Sequence, residues 1–326
     1  MIDSNTYFEI TPSLVINVTD DCTMHCTYCP PYGENLNKGY ITYDNQIIEC
    51  LINLAQKNKF NVLRITGGEP LMTPKRTKFC IEKAGTKFRR LILNTNGEML
   101  DECFSWLDQY KKNIVLKISL DSITKNEYNE LTNSFAYERV MSNIDKAIKK
   151  DYVIELNTVI VNQSIESILN TVDFADNNRF NIKLLTVSKF YGKVSQNTTT
   201  NLYKLIEYMD SKFSRSDNEK LIGNRGISMI KYNLKNSKLL LVDHNLGTSL
   251  TPTKTFFNDC NKCPLFPCDS GAFCITLSTD GILSSCRGQK SNHCYIFDKN
   301  DTQIEHIFLK QLSKFKKCFD ININNY

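Results

Sequence analysis

The stretch DDCTMHCTYCPPYG (residues 20–33) places three cysteines within eight residues, directly after the apolar run SLVINVT (13–19). The gaps are unequal: three residues separate Cys22 from Cys26, and two separate Cys26 from Cys29. A short β-branched run ending in a thiol-rich loop reads as a strand that delivers metal ligands. Structural zinc sites close on four ligands, often as paired C-x2-C knuckles. Here only three thiols are close, and His25, wedged between two of them, is expected to point elsewhere. A cubane iron–sulfur cluster suits the spacing better, because one compact loop can supply thiolates to several iron corners. Three thiolates leave one iron open, as catalytic metal sites do for substrate or cofactor.

Five more short apolar runs follow: NVLRIT (61–66), RRLILNTN (89–96), NIVLKISLD (113–121), YVIELNTVIV (152–161) and NIKLLTVS (181–188). Such runs suit parallel strands covered on both faces. Amphipathic stretches lie between them, at 43–58, 135–150 and 163–178, with Thr42 and Ser164 as expected N-caps. Six β/α units fall short of a closed eight-stranded barrel, so the fold class is α/β, a partial (β/α)6 barrel of the TIM type. Ligands sit at the C-terminal ends of such strands. The unusual residues fall there: the cysteine loop, TGGEP (66–70), NTNG (94–97) and SLDS (119–122). In TGGEP the glycines permit close backbone approach to a ligand, Glu69 offers an acceptor for an ammonium group, and Pro70 stiffens the exit.

Beyond residue 190 the pattern changes. A helix over about 198–213 leads to strand-like ISMIKYNL and KLLLVD, a hairpin FCITLSTDGILSSC turning at Asp280-Gly281, and a final helix near 303–318. The expected division is residues 1–213 for the barrel and 214–326 for a smaller cysteine-rich region.

Bulk composition sets limits. The 326 residues are 41% hydrophobic and 23% charged with a net charge of +5, ordinary for a soluble globular chain. Lysines are scattered, which argues against a nucleic-acid groove. No run is long and apolar enough for a membrane span, and the first residues lack a signal peptide's pattern, so the expected localisation is cytoplasmic. Thirteen cysteines in a reducing compartment point to metal or redox chemistry rather than disulfides. Cys50, Cys80, Cys103 and Cys318 are isolated and read as packing residues. Cys260, Cys263, Cys268, Cys274, Cys286 and Cys294 form a second group.

The C-x3-C-x2-C loop after the first strand, with TGGEP at the end of the second, resembles the radical SAM superfamily. In that family the open iron binds the amino and carboxylate groups of S-adenosylmethionine, and one electron from the cluster cleaves it to a 5′-deoxyadenosyl radical that takes hydrogen from substrate. The resemblance implies a [4Fe–4S] cluster on Cys22, Cys26 and Cys29, S-adenosylmethionine as cofactor with Gly67, Gly68 and Glu69 at its amino group, and an electron donor such as flavodoxin or ferredoxin. NVTDDCTMHCTYCPPYG, LRITGGEP, NTNG, ISLDS and LNTVIVN resemble, in order and spacing, the GTP 3′,8-cyclase family of molybdenum-cofactor synthesis over residues 13–190. This likeness implies Tyr28 against the adenine, and Gly68, Thr95 and Ser119 against the rest of the cofactor; strand-end capping is the plain alternative for Thr95 and Ser119. The C-terminal region is similar to that family's second-cluster region, of twitch or SPASM type, which implies a second [4Fe–4S] cluster. Cys260, Cys263, Cys268 and Cys286 are the expected full set of ligands; spacing does not choose among the six, and zinc is the competing metal.

The departures concern charge. Where the cyclase hairpin carries nucleotide-binding arginines, this chain has Cys274 and Thr276. An early-strand arginine is Val15, and a lysine on strand five is Glu155. Arg64 is retained, and Lys183 is a further cation that could face inward. The chain also ends without the cyclase's Gly-Gly tail. Fixed cations are what a triphosphate requires, so the expectation is a radical SAM enzyme, an oxidoreductase or lyase, acting on a substrate other than GTP in secondary metabolism or cofactor synthesis. Glu155 is expected to accept a neutral or cationic substrate group. The alternatives are a maturase of ribosomally made peptides, disfavoured by the first strand's early start, then a GTP cyclase or a non-catalytic metal scaffold.

Overall fold

The computed structural model describes residues 13–29, 43–187, 199–215, 221–222, 228–242, 274–286 and 292–323, with backbone alone for 221–222, 228–229 and 314–323. Strands β1 (Ser13–Asn17), β2 (Val62–Thr66), β3 (Arg90–Thr95), β4 (Ile114–Ser119), β5 (Val153–Ile160) and β6 (Asn181–Thr186) pair in chain order, all parallel. Helices α1 (Asn45–Lys57), α2 (Pro74–Ala84), α3 (Leu100–Leu107), α4 (Lys125–Thr132), α5 (Tyr137–Lys149) and α6 (Ile165–Asn177) connect them. This is the partial β/α barrel that the apolar runs predict. Ser164 caps α6 as expected, accepting from Ser167 N. The cap of α1 is Asp44, which accepts from Gln46 N and Ile47 N, while Thr42 lies outside the described residues.

Strand periodicity divides the residues between two faces. Leu14, Ile16, Leu63, Ile65, Leu91, Leu93, Leu116, Ile118, Leu156 and Leu184 belong to one continuous core with the buried sides of the helices. The alternate residues form the inner face. They include Val15, Arg64, Arg90, Ile92, Lys117, Glu155, Asn157 and Lys183, a markedly polar set.

The later strands extend both edges of the same sheet. After α7 (Leu202–Lys212), β7 (Ser214–Arg215), β8 (Leu221–Ile222) and β9 (Ser228–Asn233) assemble beside β10 (Lys238–Val242), which runs parallel to β6. At the opposite edge β11 (Cys274–Leu277) runs parallel to β1 and turns back through β12 (Ile282–Ser284) and β13 (Cys294–Tyr295). The hairpin turns at Gly281, whose φ of 76° suits glycine. The last helix, α8 (Asp301–Ile323), lies along α1, where Phe308 meets Phe60 at a ring separation of 5.6 Å.

Candidate cofactor and cluster site

The cysteine loop leaves the C-terminal end of β1 and is fastened on two sides. On one side, Val18 N donates to Thr66 O, Gly68 N to Thr19 O and Glu69 N to Asp21 O at 2.7–2.8 Å. On the other, His25 N and Thr27 N donate to the carbonyls of Thr132 and Leu131 at the end of α4. His25's side chain is exposed, as its place between two cysteines predicts.

The glycines of TGGEP serve this fastening. A Cβ on Gly67 would lie 2.3 Å from Thr19 O, and one on Gly68 would lie 2.2 Å from Asp21 O and 2.6 Å from Asp20 O. The close approach they permit is therefore to the cysteine loop's own backbone. Gly68→Ala sets backbone against backbone, so it should cost more than the about 1–3 kcal/mol of ordinary overpacking. Urea denaturation should show a lower midpoint at unchanged slope; a midpoint equal to wild type would mean the loops separate freely.

Glu69 is fully buried. Its Oε1 accepts from Leu71 N (3.0 Å) and Thr95 Oγ1 (2.8 Å), and its Oε2 from Asn96 N (2.6 Å). Burial pushes its carboxyl up to about 7, against the pull of these donors. The carboxylate thus ties the loop after β2 to the end of β3. Thr95 is buried; its hydroxyl donates to Glu69 and accepts from Gly97 N at 3.0 Å. Asn96, which the motif reading did not single out, reaches from the same turn to the cysteine loop: Nδ2 donates to Thr23 Oγ1 at 2.9 Å and lies 3.7 Å from Cys22 Sγ. Met24 N donates to the same sulfur at 3.5 Å. Donors aimed at a ligand sulfur favour its thiolate and tune a cluster's potential.

Cys22 and Cys26 are half-buried and Cys29 is exposed. Burial raises both the Cys22 and Cys26 thiol pKa values, and Cys26 also feels the charges of Asp121, Cys29 and Cys22. Tyr28's hydroxyl lies beside Cys26 and donates to Asp121 Oδ2. Ser119, the last residue of β4, is half-buried and sits opposite Asn157 of β5. Among the described residues, no three His, Cys, Asp or Glu side chains form a group that could hold a metal ion. A cubane takes each thiolate at a different iron, and three thiols spaced along one fastened loop suit that arrangement.

The inner face deeper in the barrel corrects one expectation. Glu155 is buried at 3% exposure and is engaged by Arg90 and by Lys117, whose Nζ lies 3.1 Å from Oε2. It is a protein counter-ion, not an acceptor awaiting a substrate. Arg64's charge also acts on Lys117, whose ammonium is lowered to about 8 by burial against Glu155's attraction. Lys183 stands opposite Asn157 on the same face.

Of the C-terminal thiols, Cys260, Cys263 and Cys268 lie outside the described residues. Cys286 is buried just beyond β12, and Cys294 opens β13. Gln311 of α8 binds both neighbourhoods: its Oε1 accepts from Ser285 N, and its Nε2 donates to Asn292 O and lies 3.5 Å from Cys294 Sγ. Cys274 and Thr276 stand opposite Ser13 and Val15 on β1.

Residues 16–175 match the family model described as the radical SAM superfamily. The chain belongs to the radical SAM superfamily. Its curated relatives include the GTP 3′,8-cyclase of Synechocystis sp., 26% identical over 62% of this chain and 62% of that one. Those of Arabidopsis thaliana (mitochondrial) and Helicobacter pylori strain HPAG1 are 28% identical over 60% of this chain and 50% of the relative, and 25% identical over 83% and 78%. The chain thus spans less than two thirds of the first two. Among solved structures, Streptococcus suis SuiB bound to precursor peptide SuiA superposes with a TM-score of 0.63 at 18% identity, covering 93% of this chain and 65% of that one. Native anSMEcpe with bound AdoMet and Kp18Cys peptide gives 0.55 at 14% identity, covering 93% and 83%. These likenesses show a shared fold. Membership implies a [4Fe–4S] cluster and S-adenosylmethionine. No helix among the described residues is long and apolar enough to cross a membrane.

Proposed function

We infer that Cys22, Cys26 and Cys29 hold the radical SAM cluster, and that the substrate lies on the inner face of the sheet and is not GTP. Bound there, cluster and cofactor supply a one-electron cleavage that yields a 5′-deoxyadenosyl radical for hydrogen abstraction. The protein's own part is to fix the geometry. The Gly67–Gly68 contact and the Glu69–Thr95–Asn96 ties hold the cysteine loop against two strand ends. Tyr28 would meet the adenine, and Ser119, at the end of β4, would meet the rest of the cofactor.

One cross-strand row supports the substrate reading. Thr276, Val15, Arg64 and Ile92 stand side by side on β11, β1, β2 and β3. Arg64 is the single cation in that row, and Val15 and Thr276 occupy positions where the cyclase resemblance implies arginines. Glu155 no longer contributes repulsion to this argument, since Arg90 and Lys117 neutralise it. Val15 and Thr276, beside Arg64 on β1 and β11, are neutral, and a triphosphate needs several fixed cations together. A small molecule of secondary metabolism or cofactor synthesis is the first candidate. A peptide is the second, favoured by the fold shared with SuiB and anSMEcpe, both solved with peptides. Cys260, Cys263, Cys268 and Cys286 remain the assigned ligands of a second cluster, with flavodoxin or ferredoxin as electron source.

Reduced enzyme with S-adenosylmethionine and GTP should give no cyclised nucleotide, while a metabolite or peptide fraction should raise 5′-deoxyadenosine. Cyclised nucleotide at the rate of an established cyclase would overturn the substrate assignment. Iron near eight per chain, two cubanes of about four, would support the second cluster; about four with bound zinc would replace it by a zinc site.

A further inference from the structure

Asp121 has a set of contacts that the cofactor reading leaves unexplained. It follows β4 within the SLDS stretch and is 1% exposed. Its Oδ1 accepts from Val159 N of β5 at 2.8 Å, and its Oδ2 accepts from Tyr28's hydroxyl. Its carbonyl accepts from Gln163 Nε2 at 3.2 Å, and the same nitrogen donates to Val159 O at 2.8 Å. One residue earlier, Leu120 O accepts from Thr158 Oγ1 at 2.7 Å. The carboxylate is thereby immobilised between two adjacent strand ends, and one of its oxygens is directed at the cysteine loop. A buried carboxylate is costly to hold in place without several donors. Neighbouring strands could close on a neutral side chain just as well, so packing alone does not call for a carboxylate here.

Tyr28 is the other half of the contact. Its ring packs, as Val159 does, against the small apolar group of Leu131, Val161 and Val187, and its hydroxyl donates to Asp121 close to the Cys26 thiol. The backbone bonds of His25 and Thr27 to α4 fix the middle of the loop. The Tyr28 hydroxyl is a side-chain anchor placed between the second and third cysteines.

We propose that Asp121 is a positioning residue for the cysteine loop, acting through the Tyr28 hydroxyl to set the placement of Cys26 and of the Tyr28 ring relative to the ends of β4 and β5. Held this way, the ring would offer a fixed face to an adenine and Cys26 would offer its sulfur to iron, so one side-chain pair would set the placement of both. The inference rests on the assignment of Cys22, Cys26 and Cys29 as cluster ligands.

The test uses the full chain, reconstituted anaerobically with iron and sulfide, as wild type, Tyr28→Phe, Asp121→Asn, Asp121→Val, the Tyr28→Phe/Asp121→Val double variant, and Cys26→Ala as control. The readouts are iron content, the electron paramagnetic resonance spectrum of the reduced cluster, and the S-adenosylmethionine concentration that half-converts that spectrum. Tyr28→Phe and Asp121→Val should retain their iron yet shift the spectrum and need about five to ten times more S-adenosylmethionine, the scale of one buried hydrogen bond. Asp121→Asn, which keeps an acceptor for Val159 N, should fall between them and wild type. The double variant should be no worse than the worse single one, because the two residues act as a unit. Wild-type spectra and titrations in Tyr28→Phe, or additive losses in the double variant, would overturn the positioning role; so would a lowered melting temperature with no spectral change. Should Asp121→Val not fold, Tyr28→Phe alone decides. Loss of iron in Cys26→Ala alongside a wild-type Tyr28→Phe refutes the positioning role and leaves the ligand assignment standing. Full iron in Cys26→Ala refutes both.

Discussion

Replacing Cys22, Cys26 and Cys29 together by alanine is expected to abolish cleavage of S-adenosylmethionine and to remove about half of the iron, the share of one of two cubanes. The effect should be all-or-none, because among the described residues nearby none is placed to substitute. His25 is exposed, and Asp121 and Glu69 are both buried and engaged within the protein. The fold should survive, since the loop is fastened by backbone bonds from Gly68 N, Glu69 N, His25 N and Thr27 N and by Thr23 and Tyr28 rather than by its thiols. Circular dichroism and iron analysis on the same sample check both halves. Retained cleavage would show that the thiols are not the ligands; loss of fold would show that the loop depends on its metal.

Glu155→Ala should be the most damaging single change in the inner face. It leaves Arg90 and Lys117, 5% and 8% exposed, without their shared counter-charge. Breaking a buried pair in this way costs about 3–5 kcal/mol, whereas replacing all members with apolar residues is often near neutral. The expected pattern in urea denaturation is therefore a large loss for Glu155→Ala and a far smaller one for Arg90→Met/Lys117→Met/Glu155→Leu. A small loss for Glu155→Ala would mean that water or another anion reaches the two cations, which would reopen a direct role for this layer in substrate binding.

The outline of the barrel was legible because its signals are local. Each of the six parallel strands is a short β-branched or Leu-rich run, and each motif sits at a strand end where chain order alone puts it. Ser164 could be read as a cap because capping involves residues three apart. What escaped is non-local. Arg90 and Lys117 look like isolated cations in apolar runs until β3, β4 and β5 pair and bring them to Glu155. Glu155 itself was misread for the same reason: a charge on an inner strand has a partner, and sequence does not say whether that partner is substrate or protein. The glycines of TGGEP suggest close approach to a ligand, and the close approach the structure shows is to the Thr19–Asp21 backbone. Asp121 offered one signal, a carboxylate placed directly after a run buried enough to exclude it from water. The insertion of β10 and β11 at opposite sheet edges had no counterpart in periodicity, since parallel pairing across such separations leaves no local pattern.

The central claim is that the cysteine loop leaves one iron open for the cofactor. Its most direct test is electron paramagnetic resonance with hyperfine detection on the reduced, reconstituted protein, before and after addition of S-adenosylmethionine carrying oxygen-17 in its carboxylate and nitrogen-15 in its amino group. A changed cluster spectrum with coupling to both labelled nuclei is expected, absent in the triple-alanine variant. An unchanged spectrum at saturating cofactor, without coupling to either label, would contradict it.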